Sequence, residues 1–238
     1  MRAALTYAAI AAGANVLGAI AVASRKTWSA AALDRLIAFS AGFMISVALL
    51  ELIPEAFARD GRYAAGVVLV GYLSVYLTQH ALVTHFHFGP ETHAVTKAVG
   101  WSALAGLMLH TLVDGVAISS GFAVSATVGF LVFMAILLHK IPEGFAISSI
   151  FIAAGAGRAK AILAAGVLGL ATIVGVLLTE MIEPLAANGL ALSGGVALYV
   201  GASNLVPEFQ GKPGWMPPLA FFAGCGLYAA LRFLLPGG

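Results

Sequence analysis

The 238-residue chain has little charge and almost no cysteine. Only 9% of the residues are charged, and a formal net charge of +2 without any basic cluster indicates no nucleic-acid partner. The single cysteine, Cys225, excludes an internal disulfide and a zinc cluster built from thiolates, so we expect it to be a packing residue. Hydrophobic residues make up 61% of the chain and the mean hydropathy is +1.00, which is typical of a polytopic membrane protein.

Apolar runs of about twenty residues, the length that crosses a bilayer, recur along the whole chain. They predict an all-α polytopic membrane protein with eight spans in a single transmembrane domain over residues 1–238. The first apolar run continues to about Ser24 without a convincing cleavage region, so we interpret it as a span and not as a signal peptide. The predicted spans cover about 3–24, 34–58, 63–83, 98–121, 125–153, 159–180, 189–210 and 216–235.

The lysines and arginines at the ends of the spans predict the orientation in the membrane. An even number of spans puts both termini on one side, and the more basic side faces the cytoplasm. The more basic set of span ends contains Arg25, Lys26, Arg35, Lys97, Arg158, Lys160 and Lys212. The smaller set contains Arg2, Arg59, Arg62 and Arg232. We therefore expect both termini to lie outside, in a cell membrane.

Two similar stretches each place a histidine and a carboxylate four residues apart inside an apolar run. His110 and Asp114 lie in span four, and His139 and Glu143 lie in span five. On a helix, this spacing puts both side chains on one face. Two such helices facing each other would offer two imidazoles and two carboxylates to one point, which is a complete set of ligands for a divalent transition metal. Ionisable groups at membrane depth are costly, so a function is a better explanation than a simple hydrogen bond between helices.

Other acidic residues lie within the spans or at their ends, which predicts a polar path and not a solvated surface. Span two contains Glu51-Leu-Ile-Pro-Glu55, and span seven contains Asn204-Leu-Val-Pro-Glu208. The predicted topology puts these two segments at opposite depths, as in an inverted repeat that relates spans 1–3 to spans 6–8. The candidate path residues are Glu51, Glu55, Glu180, Glu183, Asn204 and Glu208.

Histidines are concentrated at and beyond the inner end of span three. Four of the six in the chain lie there, one of them being His80. Histidine-rich loops bind transition metals weakly and reversibly, so His85, His87 and His93 are candidate weak ligands. An ordinary polar loop is an equally good interpretation.

With these motifs the sequence resembles the ZIP, or Zrt/Irt-like, family of divalent metal transporters. The resemblance rests on the paired His-x-x-x-carboxylate motifs, the Leu-Ile-Pro-Glu and Leu-Val-Pro-Glu segments and the histidines after span three, and it covers nearly the whole chain. It implies a 3+2+3 arrangement of the helices and a metal site between spans four and five. It also implies that Zn²⁺, or a similar ion such as Fe²⁺, Mn²⁺ or Cd²⁺, moves toward the cytoplasm as substrate. The expected partners are the metal ion and the lipid bilayer, and a homodimer stays an open alternative.

The sequence departs from the family pattern at Thr111 and Lys140, the residues that follow the two histidines. Many family members build a second metal site from these positions and an acid on span six. Glu180 and Glu183 fall near the outer end of span six, too far from mid-membrane for that role. An ammonium group would also repel a second ion. We therefore expect one metal in the core, with Lys140 in the place of the second cation and Thr111 facing it.

An intramembrane metal-dependent hydrolase is the alternative function, because His and Asp ligands can also activate water. Such an enzyme needs an open coordination position and a base beyond the ligands, and Lys140 is the candidate near the centre. A metal-sensing receptor would need a soluble output domain, and the predicted spans leave no room for one. We therefore expect a transporter and not an enzyme.

Overall fold

The computed structural model describes residues 2–24, 30–82 and 97–235, and every regular element in these ranges is helical. The α-helices are α1 (Arg2–Ser24), α2 (Ala30–Val47), α3 (Ile53–Leu77), α4 (Lys97–Val124), α5 (Ala126–Ala153), α6 (Arg158–Met181), α7 (Glu183–Tyr199), α8 (Val206–Phe209) and α9 (Met216–Leu234). Short π-helical segments follow α2, α3 and α7, at Ala48–Leu52, Thr78–Leu82 and Val200–Leu205. The predicted loop ligands His85, His87 and His93 lie outside the described residues.

Seven helical segments in the described ranges are long and apolar enough to cross a membrane. They are Arg2–Ser24, Ala31–Arg59, Gly100–Val124, Ala126–Ala153, Arg158–Met181, Glu183–Phe209 and Met216–Leu234. The chain is therefore an all-helical, multi-pass membrane protein, as predicted. The predicted third span, 63–83, is helical as far as Leu82 but is not among the seven.

The chain reverses its direction within α3. Two adjacent glycines of α7 reveal the reversal, since Gly194 lies against Ile53 and Gly195 lies against Val68. In a straight helix, Ile53 and Val68 would be about 22 Å apart. The chain must therefore turn back between them, and both halves of α3 pack against α7.

Helices α4 and α5 each pack against another helix through the same kind of close glycine contact. Gly144 of α5 lies directly against the backbone carbonyl of Asn15 in α1, and Gly115 of α4 lies in the same way against that of Thr172 in α6. Both glycines directly follow a carboxylate of the paired motifs. Each helix pair also has a contact in the other direction: Gly18 of α1 lies against the carbonyl of Ile141 in α5, and Gly175 of α6 lies against that of Leu112 in α4. Helix α1 therefore packs on α5 as α6 packs on α4.

A second pair of contacts follows the same pattern. The close approaches between α2 and α9 are Gly42 on Phe221 and Gly224 on Phe39. Those between α7 and α3 are Gly195 on Val68 and Gly71 on Leu192. The π-helical segments Ala48–Leu52 and Val200–Leu205 also correspond, since each comes just before a Pro-Glu pair. A proline removes the N–H that would bind the carbonyl four residues back, so the helix widens there.

Most predicted spans coincide with a helix to within a few residues, but α3 runs through the predicted boundary between spans two and three, and span seven begins earlier than predicted. We predict this span from residue 189, whereas α7 begins at Glu183. Pro184 lies in the first turn, where the backbone N–H groups form no bonds within the helix, so a proline is tolerated there. This turn is polar, so a search for apolar runs does not detect it as part of the span. Glu180 and Glu183 are consequently exposed where α6 and α7 join.

Replacement of Gly18 by alanine should destabilise the protein by about 1–3 kcal/mol, because the new methyl group would overlap the carbonyl of Ile141 in α5. Gly13 is the matched control on the same helix, since a methyl group there would meet no atom within 4 Å. Gly13→Ala should stay within about 1 kcal/mol of the wild type. Thermal unfolding in detergent measures both variants, and equal stability of the two would contradict the packing of α1 on α5.

Candidate metal centre

The candidate metal centre is built on a tight hairpin of α4 and α5. Ser125 caps the start of α5, where its hydroxyl oxygen accepts the N–H of Val128 over 3.1 Å. Gly121 and Gly129 let the two helices approach closely, since a Cβ on Gly121 would lie 3.2 Å from the Cα of Gly129. The helices run antiparallel, so the start of each His-x-x-x-carboxylate motif faces the end of the other.

This antiparallel arrangement pairs each histidine with the carboxylate of the opposite helix. His110 Nε2 lies 3.2 Å from Glu143 Oε2, and His139 Nε2 lies 3.3 Å from Asp114 Oδ2. One ligand atom from each of the four residues lies within 4.8 Å of the other three. All four residues are buried, with exposed fractions of 2–8%. The structure thus brings the four predicted ligands together, and their donor atoms suit a divalent transition metal.

The two histidines are held differently by their surroundings. His139 Nδ1 donates to the carbonyl of Ala135 over 2.8 Å, which fixes the tautomer that keeps a lone pair on Nε2. His110 Nδ1 is buried, and no described residue forms a hydrogen bond with it. The ring of His139 is therefore orientated for ligation by the backbone of its own helix, whereas the ring of His110 depends on its contact with Glu143.

Lys140 lies between the two carboxylates of the cluster. Its Nζ is 2.8 Å from Asp114 Oδ2 and 2.9 Å from Glu143 Oε2, and its side chain is fully buried. Lys140 and Glu143 lie three residues apart on α5, a spacing that lets their side chains meet. These two oxygens are the same ones that face the histidines, so a metal ion and the ammonium group compete for them. Without a metal ion, Lys140 offsets part of the cost of burying two negative charges.

Two neutral donors from other positions also reach Glu143. Asn15 of α1 donates from Nδ2 to Oε1 over 3.0 Å, and Thr111 Oγ1 lies 3.2 Å from the same oxygen. The Thr111 hydroxyl also lies 2.8 Å from the carbonyl of Leu107, so its single hydrogen serves two acceptors. The motifs do not reveal Asn15, although an amide inside an apolar span is itself a signal, because lipid offers it no partner.

Helix α2 contacts the cluster through a carbonyl group that Pro142 leaves without its helical N–H. This carbonyl belongs to Leu138, and Ser40 Oγ lies 2.9 Å from its oxygen. Ser40 is fully buried and also lies 2.8 Å from the carbonyl of Leu36. The residue before His139 is therefore tied to α2 by a hydrogen bond that the helix itself cannot supply.

A small cavity borders the cluster on the side of Asp114. Its volume of about 20 Å³ is enough for one water molecule. Of the described residues that line it, Asp114 is the charged one, Ser193 adds a hydroxyl group, and the remaining wall is apolar. The cavity therefore lies between Asp114 of α4 and Ser193 of α7, and most of its wall is apolar.

The candidate path residues do not belong to the four-residue cluster. Glu51 is buried, accepts a hydrogen bond from Tyr228 over 3.0 Å and pairs with Arg232 of α9. Glu55 pairs with Arg59 over 3.0 Å. Asn204 and Glu208 are half-buried, and Glu180 and Glu183 are exposed. Their role in a path stays a prediction.

Residues 89–232, more than half of the chain, match the family model described as "ZIP Zinc transporter". The match contains α4, α5 and all four side chains of the candidate metal centre, and it begins after the Leu-Ile-Pro-Glu segment of span two. No curated protein matches the chain. The family model confirms the resemblance predicted from the motifs.

Proposed function

Because the chain belongs to the ZIP zinc transporter family, we propose that it carries a divalent transition metal across the membrane through His110, Asp114, His139 and Glu143. Zn²⁺ is the proposed main substrate, and Fe²⁺, Mn²⁺ and Cd²⁺ are alternatives of the same class. The observation that carries the proposal is the burial of two imidazoles and two carboxylates, with their ligand atoms within 4.8 Å of one another.

The charges of the cluster fit a divalent ion in a low-dielectric interior. Two carboxylates neutralise the ion, and two imidazoles complete the tetrahedral set that Zn²⁺ prefers. With Lys140 charged and both histidines neutral, the empty cluster carries one net negative charge and the loaded cluster one net positive charge. Neither state requires a large net charge to be buried, which is favourable for a site that must be both filled and emptied.

We also propose eight crossings in a 3+2+3 arrangement with an inverted repeat. The reversal within α3 supports a separate third crossing, and the glycine contacts that recur around α4 and α5 support a relation between the first three and the last three spans. Both termini would then lie outside in a cell membrane, and metal would move toward the cytoplasm. The proposed outer path residues are Glu51, Glu55, Glu180 and Glu183, and the inner ones are Asn204 and Glu208.

The contacts of Lys140 favour transport over metal-dependent hydrolysis. A hydrolase needs a base that is free to activate water, and Lys140 is the candidate near the centre. Its Nζ is held by Asp114 over 2.8 Å and by Glu143 over 2.9 Å. An amine bound in this way to the ligand carboxylates is poorly placed to accept a proton from water.

Uptake into proteoliposomes that contain only this protein tests the proposed function. Zn²⁺ added outside should enter at a rate that saturates with concentration, as reported by a fluorescent chelator trapped inside. Asp114→Asn keeps the shape of the side chain but removes a charged ligand, so its rate should equal that of protein-free liposomes. Folded wild-type protein that carries Zn²⁺ no faster than protein-free liposomes would overturn the proposal.

Metal affinity should fall as the pH is lowered from about 7.5 to 5.5. Imidazole takes up protons in this range, and protons compete with the metal for every histidine and carboxylate ligand. The loss should reach roughly tenfold per pH unit for each proton that the metal displaces. Calorimetry in buffers of different ionisation enthalpy measures both Kd and the number of protons released. A constant Kd across this range would contradict ligation by these side chains.

The wild type should bind one metal ion in the core, and Lys140→Asp combined with Thr111→Asn should bind two. The double variant replaces the ammonium group by a carboxylate and adds an amide oxygen beside it, at the positions that form a second site in other family members. Elemental analysis of purified protein gives the stoichiometry. Lys212→Asp makes the same change of charge at the pair with Asp34 and should stay at one. If the double variant still binds one ion, and that ion fills the first site, then the Lys140 ammonium group does not occupy the place of a second metal ion.

A further inference from the structure

The two oxygens of the Glu143 carboxylate have different surroundings. Oε1 accepts from the Asn15 amide over 3.0 Å and from Lys140 Nζ over 3.2 Å, and it lies 3.2 Å from the Thr111 hydroxyl. Oε2 faces His110 Nε2 over 3.2 Å, on the side where the four ligands converge. We propose that Asn15 determines which ions the site accepts, because it occupies Oε1 and leaves Glu143 a single oxygen for the metal. This inference rests on the proposed transport function.

Among the described residues, Glu143 is the hydrogen-bond partner of the Asn15 side chain. Its side chain is fully buried, and no described residue forms a hydrogen bond with its Oδ1. The Nδ2 bond to Glu143 is thus the hydrogen bond that satisfies this amide. A metal bound to Oε1 would draw electron density from this oxygen and weaken its bond to the buried amide, which disfavours the two-oxygen mode.

The backbone around Asn15 prevents the amide from moving aside. Gly144 lies directly against the carbonyl of Asn15, and Gly18, one turn further along α1, lies against the carbonyl of Ile141. Helix α1 is therefore fixed against α5 on both sides of Glu143. Because α1 and α5 are in backbone contact, the position of the Asn15 amide relative to Glu143 is set by the fold and not by a flexible side chain.

A single oxygen from Glu143 limits the number of donors in the site. With one oxygen each from Asp114 and Glu143 and one nitrogen each from the histidines, the site offers the four ligands that Zn²⁺ takes in a tetrahedral complex. Mn²⁺ prefers six ligands that are rich in oxygen, often with a carboxylate bound through both atoms. Asn15 is thus a positioning residue that favours Zn²⁺ over Mn²⁺ through its bond to Glu143.

Transport of Zn²⁺ and Mn²⁺ by Asn15→Leu in proteoliposomes tests this inference. Leucine has a similar volume but no N–H, so Oε1 loses its shortest hydrogen bond, keeps its contacts with Thr111 and Lys140, and becomes more accessible to the metal. The ratio of kcat/KM for Zn²⁺ to that for Mn²⁺ should fall about tenfold, mainly through faster Mn²⁺ transport. Thr172→Val is the matched control, because Thr172 contacts Gly115 as Asn15 contacts Gly144, and no described residue forms a hydrogen bond with its hydroxyl. An unchanged ratio in Asn15→Leu, or an equal shift in Thr172→Val, would overturn the inference.

A second variant and a spectroscopic measurement test the inference even if Asn15→Leu does not fold. Thr111→Val removes the other neutral donor to Oε1 and should shift the ratio in the same direction, and an unchanged ratio there counts against the inference. X-ray absorption of the Zn²⁺-loaded wild type should give four nitrogen or oxygen ligands, and five or more would overturn it. This ligand count does not depend on transport. A wild type with four ligands and no uptake would therefore support the inference on Glu143 and reject the proposed transport function.

Discussion

Replacement of His110 by alanine is expected to reduce zinc uptake to the background rate and to weaken metal binding by roughly 100-fold or more. The substitution removes one of four ligands whose donor atoms lie within 4.8 Å of one another, and no described residue near His110 offers a replacement imidazole or thiolate. It also leaves Glu143 Oε2 without the partner that it meets at 3.2 Å. Glu143→Gln should have a similar effect, because it removes a charged ligand without changing the volume.

The control for this prediction is His80→Ala. His80 is exposed in the middle of the π-helical segment Thr78–Leu82, and its Nδ1 lies 2.9 Å from the carbonyl of Tyr76. Its loss should leave uptake and affinity unchanged. Calorimetry with Zn²⁺ and uptake into proteoliposomes measure both properties. Wild-type affinity in His110→Ala would show that the four-residue cluster is not the transport site.

The second large effect is expected from Lys140→Met, which should bind Zn²⁺ about tenfold more tightly and be less stable without metal. Lys140 contacts Asp114 Oδ2 and Glu143 Oε2, so the incoming ion competes with its ammonium group, and methionine removes the competitor. Loss of one partner of a buried ion pair costs about 3–5 kcal/mol, because the carboxylates are left without a cation. Zn²⁺ should restore most of the lost stability by taking the same oxygens.

Lys212→Met provides the comparison, since Lys212 pairs with Asp34 at a partly exposed position. Such a pair contributes about 0–1 kcal/mol, so this variant should unfold close to the wild-type temperature. Thermal unfolding with and without Zn²⁺, together with calorimetry, measures both variants. A folded Lys140→Met variant with unchanged or weaker Zn²⁺ binding would refute competition between the ammonium group and the metal.

Local patterns in the sequence predict most of the helices and the ligands. A span is a run of about twenty apolar residues, and a His-x-x-x-carboxylate pair shares one face of a helix, so both can be recognised within a short window. The two motifs lie on helices joined by the single residue Ser125, which forces them together. This is why His110, Asp114, His139 and Glu143 form the cluster in the structure that the sequence predicts.

Contacts between distant segments are not encoded in any short window. The bond from Asn15 to Glu143 depends on the docking of α1 against α5, and nothing adjacent to Asn15 identifies its partner. The sequence predicts a break between spans two and three, at residues 59–62, but it does not show that α3 continues through the reversal there. The first turn of α7, with Glu183 and Pro184, is hidden because it is polar although it belongs to a long apolar helix.

The bond between Asn15 and Glu143 joins residues 128 positions apart, which determines the order in which the metal centre is assembled during synthesis. At roughly 5–20 residues per second, the ribosome needs about 6 to 26 seconds to make the intervening chain. Throughout this interval the amide of α1 lacks Glu143, its partner in the folded protein, and lipid supplies no acceptor in its place. The hairpin of α4 and α5 can close as soon as α5 emerges, and α1 then docks onto it. The first helix to be synthesised is therefore among the last to reach its final position, and a nascent chain that stops before Glu143 retains α1 as an unpaired element.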